Sequence, residues 1–85
     1  MNDLEYDIIN ELYFVTAFRD LASTLDLPDT ELSANLEGLV LKNYIKCFYP
    51  DPDTEIEYNA EEFFQNCRSY YFLAAKEGLL AHNSK

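Results

Sequence analysis

Apolar residues recur at helical spacing three times in the first half of the chain, with acidic and polar positions between them. The first pattern predicts a helix over residues 3–14, and the second a helix capped at its start by Thr16. The third predicts a helix over residues 29–42, entered through Pro28 and stopped at Asn43, which tolerates the left-handed conformation. The positions expected to face the core are Leu4, Ile8, Ile9, Leu12, Phe18, Leu21, Ala22, Leu25, Leu32, Leu36, Leu39 and Val40.

The period then changes from 3.6 to 2. Residues 44–49 are rich in β-branched and aromatic side chains, which predicts a strand. Residues 50–53 contain two prolines and two aspartates and predict a turn, after which residues 54–58 predict a return strand. Asn59, three residues before a glutamate, is typical of a helix N-cap. The short helix that it opens carries Phe63, Phe64 and Cys67.

The end of the chain completes this pattern. Residues 70–73 predict another strand, and residues 75–81 a last helix that buries Leu79 and Leu80. The tail, residues 83–85, is expected to be loose. These elements predict an α+β fold, mostly helical with a small antiparallel sheet, in a single domain over residues 1–85.

Composition agrees with one folded domain. The chain has 85 residues, of which 48% are hydrophobic and 15% aromatic, which argues against disorder. Sixteen acidic residues against six basic ones give a formal net charge of −10. Such an excess of acidic residues disfavours functions that require binding to many phosphate groups or to anionic lipid.

The sequence shows no targeting or membrane-spanning pattern. Residues 1–5 are acidic and lack the regions of a signal peptide. The longest apolar run, residues 70–75, is far short of the roughly 20 residues of a membrane span. Cys47 and Cys67 form no Cys-x-x-Cys motif, and we expect reduced, buried thiols in a cytoplasmic protein, with a Cys47–Cys67 bridge as the alternative.

The order of elements resembles that of the winged helix-turn-helix domain of bacterial transcriptional regulators. The resemblance rests on residues 21–27, 32–39, 42–45 and 71–78, and it extends over nearly the whole chain. It implies a three-helix core, a small wing sheet and a C-terminal helix. The chain departs from the family in a long wing insert, about residues 50–68, and in one extra residue between its last strand and Gly78, where Ala75 also replaces a threonine.

The resemblance also implies which positions of the third helix would face DNA. These recognition-face positions are Asp29, Thr30, Ser33, Ala34 and Glu37, none of which is basic. Residues 16–43 carry two basic residues against five acidic ones, a net charge of −3, and residues 50–62 carry six acidic residues and no basic one. Because DNA binding draws on the neutralisation of phosphates, these charges disfavour direct DNA binding. It would need a gathered basic patch of Lys42, Lys46, Arg68 and Lys76.

We therefore interpret the chain as a non-catalytic winged-helix module that acts by protein contact, as an accessory factor in transcription. Its acidic surface suits a basic protein partner, or the chain forms a homodimer. The candidate interface aromatics are Tyr49, Tyr58, Phe63, Phe64, Tyr70 and Tyr71. Three alternatives remain: these rings form a satellite core under the insert, the chain is a divergent regulator that binds DNA directly, or it is a folded scaffold domain detached from a larger ancestor.

The sequence contains no strong motif for a catalytic or metal-binding site. Oxygen-bearing residues follow calcium-loop spacing at Asp51, Asp53, Glu55, Glu57, Asn59 and Glu62. The position that needs glycine is Ile56, so a solvated turn and a helix cap explain these residues better. His82, the single histidine, is expected to be solvated near the end of the chain. We expect no cofactor, no metal and no enzymatic activity.

Overall fold

The structure, a computed structural model, describes residues 1–84. These residues form an α+β fold of five α-helices and a four-stranded antiparallel sheet. The helices are α1 (Asp3–Asn10), α2 (Phe18–Leu25), α3 (Asp29–Leu41), α4 (Ala60–Asn66) and α5 (Lys76–Asn83), and a 3-10 turn, Cys67–Ser69, follows α4. The strands are β1 (Thr16–Ala17), β2 (Ile45–Phe48), β3 (Glu55–Ile56) and β4 (Tyr71–Ala74).

The first helix is shorter than its pattern predicts. A capping box starts α1: the Asn2 side chain accepts from the Glu5 amide, and the Glu5 carboxylate accepts from the Asn2 amide. The helix ends at Asn10 rather than at residue 14, because the chain turns to bring β1 to the sheet. Leu12 nevertheless reaches the core outside the helix, and its carbonyl oxygen accepts from the Ala74 amide at 2.9 Å.

Thr16 does not cap α2, and the prediction for it is wrong. It lies in β1, a strand that the sequence did not predict, and its hydroxyl donates to the carbonyl oxygens of Glu11 and Phe14. Ala17 occupies the N-cap position of α2 and makes no side-chain capping hydrogen bond. The start of α2 is therefore fixed by the pairing of β1 with the sheet. This pairing cannot be predicted from the periodicity of the sequence.

The connections on either side of α3 use left-handed residues. Asp26 has a φ of 53° and ends α2, and Asn43 has a φ of 62° and follows α3, as predicted for Asn43. Asparagine and aspartate are among the residues that tolerate this conformation. The Tyr44 amide then donates to the Leu39 carbonyl oxygen at 3.0 Å, which satisfies a terminal carbonyl and directs the chain into β2.

The sheet has the strand order β1-β4-β2-β3. Its centre is the β2–β4 pair, in which Cys47 lies opposite Phe72. The inserted segment between β2 and β4, residues 49–70, adds β3 at one edge, and β1 closes the other edge. Two segments that are distant in sequence thus extend the sheet from both sides.

One apolar core lies between the helices and the sheet. The fully buried side chains are Phe18, Phe72, Ile8, Ile9, Leu12, Leu21, Leu32, Leu36 and Leu39, and all but Phe72 are predicted core positions. Leu80 is 58% exposed, so its predicted burial is wrong, whereas Leu79 is partly buried against the core. In α5 the buried residues are Gly78 and His82.

The C-terminal helix extends further than predicted, through Asn83, so the expected loose tail is helical at its first residue. The hydroxyl of Ser84 donates to the Leu80 carbonyl oxygen, and Lys85 lies outside the described residues. Over residues 1–84, no helix is both long and apolar enough to cross a bilayer.

Candidate functional site

The five recognition-face positions lie together on one side of α3, away from its buried leucines. Thr30 and Ala34 are exposed, whereas Asp29, Ser33 and Glu37 are half-buried. The cover comes from the insert: α4 and the turn after it fold back beside α3, so that Phe63, Phe64, Cys67 and Arg68 line a groove with the helix. The insert therefore occupies part of the face that the family resemblance assigns to DNA.

At the N-terminal end of α3, Asp29 binds two arginines. Arg19 of α2 donates from Nη1 to Oδ1 at 3.0 Å and from Nη2 to Oδ2 at 3.2 Å, a bidentate geometry. Arg68, at the far end of the insert, donates from Nε to Oδ2 at 3.2 Å. The two hydrogen bonds from Arg19, and then the one from Arg68, hold the pKa of the Asp29 carboxyl below its ordinary value. One carboxylate thus joins α2, α3 and the insert.

Further along α3, the insert is tied by a second contact. The Tyr58 hydroxyl donates to Glu37 Oε2 at 2.6 Å. This hydrogen bond raises the pKa of Tyr58 above its ordinary value, because the phenol would lose it on ionisation. The insert is therefore fastened to α3 through Tyr58 before α4 and through Arg68 after it.

Most of the basic residues that the structure describes pair with carboxylates. Lys42 pairs with Glu5 at 2.9 Å, Lys46 with Glu55 at 3.9 Å, and Arg19 and Arg68 with Asp29. Of the four cations that a basic patch would need, three thus have carboxylate partners, and Lys76 lies at the start of α5. Since three of the four are at least partly neutralised by a neighbouring carboxylate, the gain from counterion release on DNA would be small.

The six candidate interface aromatics divide by burial. Phe63 and Tyr70 are each 3% exposed and belong to the core, and Tyr49, Tyr58 and Tyr71 are half-buried. Four of these rings form a connected cluster: Phe63 lies 5.9 Å from Tyr58 and 5.8 Å from Tyr70, and Tyr70 lies 5.4 Å from Tyr49, centroid to centroid. Burial raises the pKa of Tyr70. Phe63 and Tyr70 therefore pack into the main core and not into a separate satellite core, whereas Phe64 is 82% exposed.

The groove between α3 and α4 has a volume of about 520 Å³. One wall is formed by the small side chains of Thr30, Ser33 and Ala34, and the other carries the exposed ring of Phe64. A cavity of this size lies within the range of roughly 300–1,000 Å³ usual for ligand sites. The arrangement offers apolar contact surface, bordered at Glu37 by a carboxylate.

The two cysteines are free and buried, as predicted. Burial raises the pKa of the Cys47 thiol to about 12, with smaller contributions from Cys67 and Glu55. Burial also raises the pKa of Cys67. Both therefore remain protonated near neutral pH and are poor nucleophiles.

His82 is buried, and the prediction that it is solvated is wrong. Its ring stacks on Tyr6 with centroids 4.0 Å apart, and Nδ1 lies 3.1 Å from the Tyr13 hydroxyl. These tyrosines come from α1 and the loop after it, at the opposite end of the sequence. Only the packing of α1 against α5 brings them together, and the residues next to His82 in the sequence do not indicate it.

The calcium-like spacing does not form a cation site. Asp51 Oδ1 accepts from the Asp53 amide and from the Thr54 hydroxyl, and the Asn59 side chain accepts from the Glu62 amide. These residues thus serve a turn and a helix N-cap, as the simpler interpretation predicts. Within the described part of the chain, no group of three or more His, Cys, Asp or Glu residues could hold a metal ion.

No protein-family model, no curated protein and no solved structure matches this chain.

Proposed function

We propose that this chain is a winged-helix domain that acts by binding another protein, as a non-catalytic accessory factor in transcription. Three helices are followed by a pair of antiparallel strands, β2 and β4, and by a closing helix. This is the element order on which the family resemblance rests. The long excursion between β2 and β4 is the wing insert.

The proposal rests mainly on the outer face of α3, which the insert partly covers and whose carboxylates already have partners. In a DNA reader, that face needs exposed donors beside unpaired cations. Here the insert lies beside it, Glu37 accepts from Tyr58, and Asp29 is held by two arginines. A duplex would have to displace these contacts and then meet carboxylates, whereas a protein can use the same surface as it stands.

The charge of the whole chain supports a basic partner. At a net charge of −10, the chain attracts cationic surfaces over a distance of about a Debye length and repels nucleic acid. The same charge disfavours self-association, because two copies would repel each other. We therefore infer a heterologous partner with a basic binding surface.

Two measurements test this proposal. Fluorescence polarisation with labelled mixed-sequence duplex DNA at low salt should show no saturable binding. Micromolar binding that weakens steeply with added salt would instead establish the alternative, a regulator that contacts DNA directly. The immobilised chain should retain a protein from an extract of its native organism, and the purified partner should rebind saturably. A strict monomer that retains no protein would contradict the proposal.

A further inference from the structure

We propose that the groove between α3 and α4 binds a short basic amphipathic segment of another protein, in which one or two apolar side chains alternate with Lys or Arg. This inference rests on the proposed function and specifies where the contact is made and what chemistry the partner brings. Its basis is the exposed ring of Phe64, the small side chains opposite it, and the charge of the two helices.

The two walls of the groove suit an inserted apolar side chain. Ala34 is exposed and has no side chain beyond its methyl group, so it leaves room beside α3. Phe64, across the groove, is 82% exposed although its neighbour Phe63 is 3% exposed. An exposed aromatic ring beside a concave surface is typical of a contact site, because aromatic side chains dominate the centres of protein interfaces.

The charge around the groove selects the flanking residues of the occupant. α3 and α4 together carry five carboxylates and no Lys or Arg: Asp29, Glu31, Glu37, Glu61 and Glu62. Arg68, the one cation that lines the groove, is bound to Asp29, which Arg19 also neutralises. The carboxylates that no arginine pairs are those of Glu31, Glu37, Glu61 and Glu62. An apolar segment flanked by Lys or Arg therefore matches both the interior and the surroundings of the groove.

A second copy of the chain is a poorer occupant. It would bring a further charge of −10 against the same five carboxylates. Phe14 is also 82% exposed and lies in the loop after α1, outside the groove. It has the same residue type and exposure as Phe64, which makes it a matched control.

The test uses the full chain and a phage-displayed library of random peptides about a dozen residues long. We expect enriched peptides to combine Leu, Ile, Phe, Met or Trp with Lys or Arg, and to bind at micromolar affinity when synthesised. Phe64→Ala and Ala34→Lys should each weaken that binding on the order of tenfold. Phe14→Ala should leave it unchanged, and added salt should weaken it. Circular dichroism verifies folding, and because Phe64 is exposed, Phe64→Ala remains informative if Ala34→Lys fails to fold.

Other outcomes overturn the inference in distinguishable ways. Basic peptides that bind equally well to the Phe64→Ala and Phe14→Ala variants would place the contact elsewhere and leave the proposed function standing. Enrichment of acidic or uncharged peptides that need Phe64 would refute the charge assignment. A dimer in sedimentation that is lost in Phe64→Ala would make a second copy the occupant. If no peptide is enriched, the groove is not such a site, and partner capture and the DNA measurement still decide the proposed function.

Discussion

The two faces of α3 are stabilised by different kinds of interaction. On the inner face, Leu32, Leu36 and Leu39 are fully buried in the core. On the outer face, Asp29 and Glu37 hold the insert through polar contacts that are partly open to water. Fully burying an aliphatic side chain contributes about 1.5–3 kcal/mol, whereas a surface ion pair contributes roughly 0–1 kcal/mol. The inner face therefore determines whether the chain folds, and the outer face determines how the insert sits.

This difference has a consequence for the candidate binding site. A segment held by surface contacts can open at a lower free energy than global unfolding requires. Phe63, Cys67 and Tyr70 nevertheless anchor α4 and the turn after it in the core, so opening is limited to the part of the insert around Tyr58. The groove is thus attached to a stable core and bordered by contacts that a partner could replace.

The largest expected effect comes from the inner face. Leu36→Ala should lower the free energy of unfolding by about 2–5 kcal/mol, because it leaves a cavity beneath α3. Leu41→Ala is the matched control in the same helix, since Leu41 is 62% exposed, and it should change stability little. Urea denaturation measures both. Equal losses for the two variants would contradict the assignment of the inner face.

A pair of glycine substitutions tests close packing around the core. A Cβ at Gly78 would overlap the carbonyl oxygen of Tyr44, so that backbone would have to shift. We expect Gly78→Ala to destabilise by about 1–3 kcal/mol. At Gly38 a Cβ meets no atom within 4 Å, and Gly38→Ala should stabilise α3 by roughly 0.5–1 kcal/mol. The opposite signs are read from thermal melts; a stabilising Gly78→Ala would contradict the observed approach of α5 to Tyr44.

The polar contact between α1 and the end of α3 should depend on pH. Burial alone would raise the pKa of Glu5, but the hydrogen bonds from Lys42 and from the Asn2 amide outweigh it and lower that pKa. A lowered folded-state pKa means that the contact stabilises the fold above the ordinary glutamate pKa of about 4.3, and that this is lost as the pH falls through the folded value. Glu5→Gln should thus lower the free energy of unfolding by roughly 1 kcal/mol at neutral pH; the loss is small because Lys42 is half exposed. The loss should decrease in acid, because Glu5 of the wild type is then protonated.

Asp7→Asn is the control for that pH series, because Asp7 lies on the same helix and is exposed. Urea denaturation from pH 7 down to pH 3 should show that the difference in free energy of unfolding between the wild type and Glu5→Gln becomes smaller. The Asp7→Asn curve should run parallel to the wild-type curve. A gap that stays constant in acid would mean that the charge of Glu5 does not contribute through Lys42.

The inner face of α3 could be predicted from the sequence, whereas much less of its outer face could be. The core leucines recur with the helical period, and Asn43 is a residue that tolerates the left-handed turn it makes, so local rules were sufficient. The burial of His82 depends on Tyr6 and Tyr13, which lie about seventy residues away. Thr16 is a strong N-cap residue by type, but strand pairing with β4 places it in the sheet instead.

The candidate site shows the same division. Thr30, Ser33, Ala34 and Glu37 line one groove, as the helical period requires, and Asp29 lies at the start of the same helix. That the insert lies beside this face could not be predicted, because the pairings of Tyr58 with Glu37 and of Arg68 with Asp29 span 21 and 39 residues. Phe63 and Phe64 are adjacent and of one type, and only the direction from which α4 meets the core separates the buried ring from the exposed one.

The smallest expected effect lies at the contact between Tyr58 and Glu37. Tyr58→Phe keeps the ring beside Phe63 and removes only the hydroxyl that donates to Glu37. Global stability should change little, because the contact is partly open to water. Amide hydrogen exchange should become a few-fold faster in α4 and around β3, because the attachment of the insert is loosened. The amides of α3 around Leu36 should keep their protection. Tyr71→Phe, which alters a half-buried tyrosine of β4, is the control and should leave exchange in α4 unchanged. If Tyr58→Phe instead accelerated exchange throughout α3, the two faces would unfold as one unit, and the insert would be part of the core rather than a segment attached to it.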